Sequence, residues 1–148
     1  RLPGARVLDA CAGSGALGLE ALSRGAAAAL FIGADKGAAA IVAANLATTG
    51  LAGGELLRGD ALQLLPRLQP AQPFDLIFLD PPYDAGLLPA LLALAGQPTL
   101  LTRDGLIIAE TRAGGVRDLP PALELIKTSR YGDTAIHYLR LRAPQGGN

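Results

Sequence analysis

The chain has little with which to do thiol or metal chemistry. Its 148 residues include one cysteine, Cys11, and one histidine, His137. A lone cysteine excludes an internal disulfide and any all-cysteine metal site. With a single histidine, zinc is not expected either, so no metal ligands are assigned. Nor is there an excess of charge, because 13 Lys and Arg balance 13 Asp and Glu. Neutrality gives no support to nucleic-acid binding through the field of the whole chain. Long hydrophobic runs are missing too. The longest apolar stretches, such as GAAAALFIGA, are far too short to span a bilayer. No charged segment followed by an apolar one opens the chain, so a secretory signal is not expected. These absences point to a cytoplasmic protein without a membrane partner. What remains is an ordinary globular composition, half hydrophobic and 18% charged. It fits one domain over 1–148, long enough to bury a core.

Short apolar runs alternate with helical segments, which predicts an α/β fold with a mostly parallel sheet. Strands are expected over 5–10, 28–34, 54–60, 74–80 and 104–111. Helices are expected over 16–25, 36–48 and 86–95, with a short one in ALQLLPRL that Pro66 distorts. FDLIFLD reads as a strand buried on both faces because its apolar run is nearly continuous. The tail changes style. ALELIKTSR and TAIHYLRL flank Tyr131-Gly132-Asp133, which reads as a hairpin turn. The expectation is five βα units ending in an antiparallel pair.

DACAGSGALG places Gly13, Gly15 and Gly18 in a G-x-G-x-x-G spacing after a strand and at the start of a helix. Glycines there permit a tight turn and a close approach of a cofactor to the backbone. The spacing alone does not separate nicotinamide, flavin and S-adenosylmethionine sites. The acids do. Asp9, Asp35, Asp60 and Asp80 fall at four successive strand ends, where open α/β sheets bind ligands. A pyrophosphate would be repelled by such a ring, whereas a sulfonium and an ammonium group are attracted to it. The competing reading for Asp35 or Asp60 alone is a helix N-cap.

Asp80-Pro81-Pro82-Tyr83 ends the fourth strand. Two prolines without N–H groups make the segment stiff and rich in acceptors. An exocyclic amino group on a base or amide is a poor nucleophile, because its lone pair is delocalised. Accepting its N–H bonds with the Asp80 carboxylate and the Pro81 carbonyl localises that lone pair. Tyr83 offers a face for stacking a planar substrate. Positioning and electrostatics suffice for this chemistry.

VLDACAGSGALGLEALSRGA followed by FDLIFLDPPY resembles the class I S-adenosylmethionine-dependent methyltransferases with a DPP[YF] motif. More narrowly, with YGDTAIHYL near the end, the chain resembles the bacterial RsmD family over almost its whole length. That family methylates the exocyclic N2 of a guanine in 16S ribosomal RNA. The resemblance implies a Rossmann-like, mostly parallel seven-stranded sheet with an antiparallel last strand and helices on both faces. It implies Asp80, Pro81, Pro82 and Tyr83 as the amino-group site. Asp9, Ala12, Gly13, Ser14 and Gly15 would hold the cofactor's methionine part. Asp35 and Lys36 at the end of strand two would hold the ribose, and Asp60 with Ala61 the adenine. The partner implied is ribosomal RNA or a small-subunit assembly particle, with a monomer expected. Glu110 ends strand five as an acid does in relatives, with a structural role as the alternative.

Two departures stand out. Gly33 occupies the place where relatives carry a glutamate, leaving Asp35 to take over the ribose contact. Relatives also begin with a basic segment, whereas this chain reaches its first strand almost at once, which is expected to account for the neutral charge. Arg112, Arg117, Lys127, Arg130, Arg140 and Arg142 leave the final third basic, as a solvated face or a phosphate contact. Cys11 is expected to be a small buried hydrophobe, His137 a structural residue, and Asn45 a packing or capping residue. N6-adenine methylation of DNA or RNA, a cofactor-binding fragment without activity, and a nicotinamide oxidoreductase are the readings kept beside the first.

Overall fold

The computed structural model describes residues 2–11, 15–81, 87–112, 116 and 118–143. The elements run β1 (Arg6–Asp9), α1 (Ala16–Ser23), β2 (Ala28–Gly33), α2 (Lys36–Thr49), β3 (Gly54–Arg58), α3 (Ala61–Leu64), β4 (Phe74–Leu79), α4 (Leu87–Ala95), β5 (Leu101–Arg112), β6 (Leu123–Tyr131) and β7 (Thr134–Leu141). They form a seven-stranded sheet in the order β3-β2-β1-β4-β5-β7-β6. Strands β1 to β5 pair in parallel, and β7 runs antiparallel to both β5 and β6. The chain therefore winds outward from β1 one way to β3 and then the other way from β4. A ligand crevice opens at such a reversal, beyond the carboxyl ends of β1 and β4.

Both faces of the central strands are buried, and alternate residues serve different layers. Val7, Phe31 and Phe78 pack with Ala21, Leu22 and Val42 of α1 and α2. Leu8, Ile32, Ile77, Leu79 and Ile107 pack on the other side with Leu65 and with Leu88, Leu91 and Leu92 of α4. Helix α4 closes against the antiparallel end of the sheet as well, reaching the cluster of Leu123, Leu139 and Leu141. The short α3 passes into a 3-10 turn over Leu65–Arg67, as expected of a helix that meets Pro66.

Several expectations are corrected. Strand β5 begins at Leu101, three residues earlier than its apolar pattern suggests. Gly105 permits this: a Cβ there would lie 2.7 Å from Thr102 Oγ1 and 3.0 Å from the Asp75 carbonyl oxygen. The count of five βα units falls to four, because among the described residues no helix follows β5. On the side carrying α1 and α2, an open groove of about 1220 Å³ lies against β5, β6 and β7, lined in part by Leu76, Leu106 and Tyr138.

Two glycines of the first loop have separate reasons. Gly15 caps α1 in the left-handed region, φ 80° and ψ 13°, where a side chain is strained. Gly18 has an ordinary backbone but faces Phe31; a Cβ would fall 2.3 Å from Phe31 Cε2. Gly18→Ala must therefore push α1 off β2. We expect it to cost about 1–3 kcal/mol, lowering the thermal midpoint by roughly 2–12 °C. A melting curve superimposable on wild type would refute this contact.

Candidate active site

Asp9 is the last residue of β1 and is 4% exposed. Its carboxylate accepts a long hydrogen bond, 3.4 Å, from the Gly18 backbone N–H. The pairing of β1 with β4 continues beyond it, the Ala10 N–H donating to the Phe78 carbonyl at 3.1 Å. That brings Asp80, just past the end of β4, beside Asp9. Burial pushes the Asp9 pKa up to about 6; the Gly18 N–H opposes this, while the Asp80 charge adds to it. Asp80 keeps one side open to solvent, yet its carboxyl is also raised, first by partial burial and then by the charge of Glu110. Glu110 stands at the matching place on β5, since Leu79 pairs with Ala109.

Cys11 follows Asp9 and Ala10 and reports the same field. Burial pushes its thiol up to about 11, and the charges of Asp9, Asp80 and Asp60 add to that. It packs against the core beside α4, so it is the small hydrophobe expected and not a thiolate nucleophile.

The outer acids do a different local job. Asp35 caps α2, its Oδ1 accepting from the Ala38 N–H at 2.7 Å. Asp60 caps α3, its Oδ1 accepting from the Leu62 N–H at 3.0 Å. Both carboxylates are exposed, as is Lys36, whereas Ala61 is buried. These residues line the carboxyl ends of β2 and β3, in sequence with Asp9 and Asp80. Gly33 needs no glycine geometry; a Cβ there would meet Ala39 at an ordinary 3.5 Å. Of the expected site, Asp9 and Asp80 come together at the β1–β4 reversal, Gly15 caps α1 beside Phe31 and Val42, and Pro81 is buried. Ala12, Gly13, Ser14, Pro82 and Tyr83 lie outside the described residues.

None of Asp9, Asp35, Asp60, Asp80 and Glu110 takes part in an ion pair among the described residues. Their arrangement lacks a cation and does not suit a second anion. No group of side chains among the described residues could hold a metal ion. A sulfonium and an ammonium group fit this donor set, as does a planar amine at Asp80.

The sequence profile described as Conserved hypothetical protein 95 matches residues 1–140. The chain belongs to this family. It is 37% identical over 142 residues to YlbH of Bacillus subtilis, covering 94% of this chain and 77% of the relative. It is 35% identical over 143 residues to ribosomal RNA small subunit methyltransferase D of Escherichia coli, covering 96% and 71%. The solved structure of Escherichia coli yhhF superposes with a TM-score of 0.85 at 33% identity, covering 97% of this chain and 78% of that one. The RsmD-type family and the class I methyltransferase fold expected from the loop and DPPY residues are thus borne out.

Glu110 is the residue that sequence reasoning undervalued, since its relation to Asp80 depends on the β4–β5 register. His137 is structural as expected. It is 1% exposed, with Thr111 Oγ1 at 2.8 Å from Nε2 and Thr128 Oγ1 at 3.0 Å from Nδ1. Burial first, and then the Arg130 charge, lower its pKa and keep the ring neutral.

Asp9 generates a pH signature. Its folded pKa, about 6, exceeds the ordinary 3.8. Between these values the folded state holds a proton that the unfolded state has lost. The contribution of Asp9 to stability therefore falls as pH rises from about 4 to 6 and stays low above. Asp9→Asn removes the titration. Its stability relative to wild type should rise across that window by on the order of 3 kcal/mol. Denaturation at pH 4, 5, 6 and 7 reads the difference, and a constant offset would show that Asp9 is not desolvated.

Proposed function

We propose that this chain transfers a methyl group from S-adenosylmethionine to the exocyclic N2 amino group of a guanine in 16S ribosomal RNA. The observation that carries the reading is the meeting of Asp80 with Asp9, whose carboxylate also accepts from the Gly18 N–H of α1, at the β1–β4 reversal. A methyl-acceptor seat there lies next to a cation seat. Its support from relatives is the name of the Escherichia coli protein, a small-subunit ribosomal RNA methyltransferase.

Bound there, S-adenosylmethionine supplies an electrophilic methyl on a positively charged sulfur. The chain's own residues do the rest. Asp9 offers a buried negative charge to the cofactor's cationic end, and the Gly15 turn leaves its backbone open to close approach. Asp35 and Asp60 each spend one oxygen on a helix cap, leaving the other for a ribose hydroxyl and the adenine side respectively. Asp80 accepts an N–H of the guanine amine, and the Pro81 carbonyl accepts the second. Asp80 is a stronger hydrogen-bond acceptor and proton holder because its pKa is raised. Holding both N–H groups takes the nitrogen lone pair out of conjugation and turns it towards the methyl, and Asp80 accepts the proton that the nitrogen must lose once methylated. Tyr83 stacks on the base and Pro82 fixes the approach.

Incubation with labelled methyl donor and undermethylated small subunits tests the reading. Label at guanine N2 is the expected result. Label at adenine N6 would replace the substrate, and label on DNA alone would sink the proposal. Asp80→Ala should lower turnover by roughly 100-fold or more, with S-adenosylhomocysteine affinity by calorimetry close to wild type. Loss of both together would give Asp80 a structural role.

A further inference from the structure

The β6–β7 hairpin lies outside the site just described but reaches the same rim. Paired residues of antiparallel strands share a face, so Arg112, Thr134 and Tyr131 form one row across β5, β7 and β6. Glu110, two residues before Arg112, shares that face. Because β5 is parallel to β4, the row stands at the carboxyl end of the sheet, beside Asp80. Tyr131 is 64% exposed, more than any other large hydrophobic side chain described. Arg130 precedes it on the opposite face, exposed at the sheet's edge. Further down the face of Tyr131, Lys127 sits 5.8 Å from the centre of the Tyr138 ring. No helix covers this face among the described residues, and Glu124, an acid on β6, is paired with Arg140. Acids outnumber cations before residue 100 and cations outnumber acids after it, so the positive charge lies on this half of a neutral chain. One exposed aromatic, Tyr131, and a half-buried one, Tyr138, interleaved with cations on a sheet face match the chemistry of unpaired nucleotides, whose bases stack while their phosphates seek cations.

We propose that this hairpin rim is a docking platform for single-stranded RNA flanking the target guanine. Tyr131 stacks one base, and Arg130, next to it at the exposed edge, holds an adjoining phosphate. With neighbouring strands about 4.8 Å apart, Tyr131 stands three strands, roughly 14 Å, from Asp80. That distance suits a flanking nucleotide and not the methylated base itself. The proposal rests on the RNA substrate of the preceding reading, and its test separates the two.

Anisotropy of a fluorescein-labelled single-stranded RNA reads binding, and methyl transfer to the same RNA and to small-subunit particles is followed alongside. Tyr131→Ala should weaken RNA binding roughly 5- to 150-fold, the worth of one stacked base, with S-adenosylhomocysteine affinity and melting temperature unchanged. Tyr131→Phe keeps the ring and should bind as wild type. Arg130→Gln should reduce the slope of log affinity against log salt by about 0.7. Wild-type affinity in Tyr131→Ala, or an equal loss in Tyr131→Phe, overturns the platform. Unchanged affinity for naked RNA with weakened binding to the particle overturns it in favour of a protein contact. If RNA binding follows Tyr131 while no methyl is transferred, the platform stands and the catalytic reading falls. If guanine N2 is methylated with an unchanged KM in Tyr131→Ala, the reverse holds.

Discussion

The close approach of α1 to the sheet at Gly18 sets the geometry on which the site depends. Helix α1 can lie directly on the Phe31 ring only because residue 18 has no Cβ. That closeness also brings the Gly18 N–H to the buried Asp9 carboxylate. Gly15, at the start of α1, adopts the left-handed region. One packing constraint thus fixes a helix, a turn and a buried charge. A bulkier residue 18 would lift the helix, lengthen an already long hydrogen bond and leave Asp9 without its donor.

Carboxylates crowd the floor of the crevice formed by that turn. Burial and then the Asp80 charge raise the Asp9 pKa, and partial burial and then Glu110 raise that of Asp80. Such an arrangement is poor for the stability of the fold, since a buried carboxylate next to a like charge costs free energy. Conversely, the caps made by Asp35 and Asp60 stabilise α2 and α3 while leaving their carboxylates exposed. The inner acids carry a functional cost and the outer ones a structural benefit, although all four occupy equivalent strand ends. Burial sets Asp9 apart, the nearby Glu110 charge acts on Asp80, and the helix caps distinguish the outer pair.

Much of this was legible in the sequence because parallel strands buried on both faces read as continuous apolar runs. Residues 28–34 and 74–80 differ from β2 and β4 by one terminal residue each. The Gly15 and Asp9 placements followed from spacing, and Pro66 announced the 3-10 turn. The start of β5 was hidden because Thr102, Arg103 and Asp104 are polar, and only the fit of Gly105 under Thr102 and Asp75 carries the strand through them. Glu110 was hidden for another reason. Its relation to Asp80 depends on the register Leu79–Ala109, and register between strands 20 or more residues apart leaves no local signal. The same holds for the row of Arg112, Thr134 and Tyr131, which exists only once three strands are aligned.

The crowded acids also link ligand binding to folding. At neutral pH the ionised Asp9 opposes the empty folded state, because its folded pKa lies near 6. In the proposed site, a cation seated between Asp9 and Asp80 would favour the ionised form of each and offset the cost of ionising them. Part of the binding free energy is therefore relief of a strain already present in the fold. Such a ligand stabilises the protein by mass action as well, in proportion to the logarithm of its excess over Kd. A neutral or anionic molecule of equal size gains neither term. In the proposed site, positive charge is favoured before any specific hydrogen bond is made, and most strongly above the Asp9 pKa, where Asp9 is ionised.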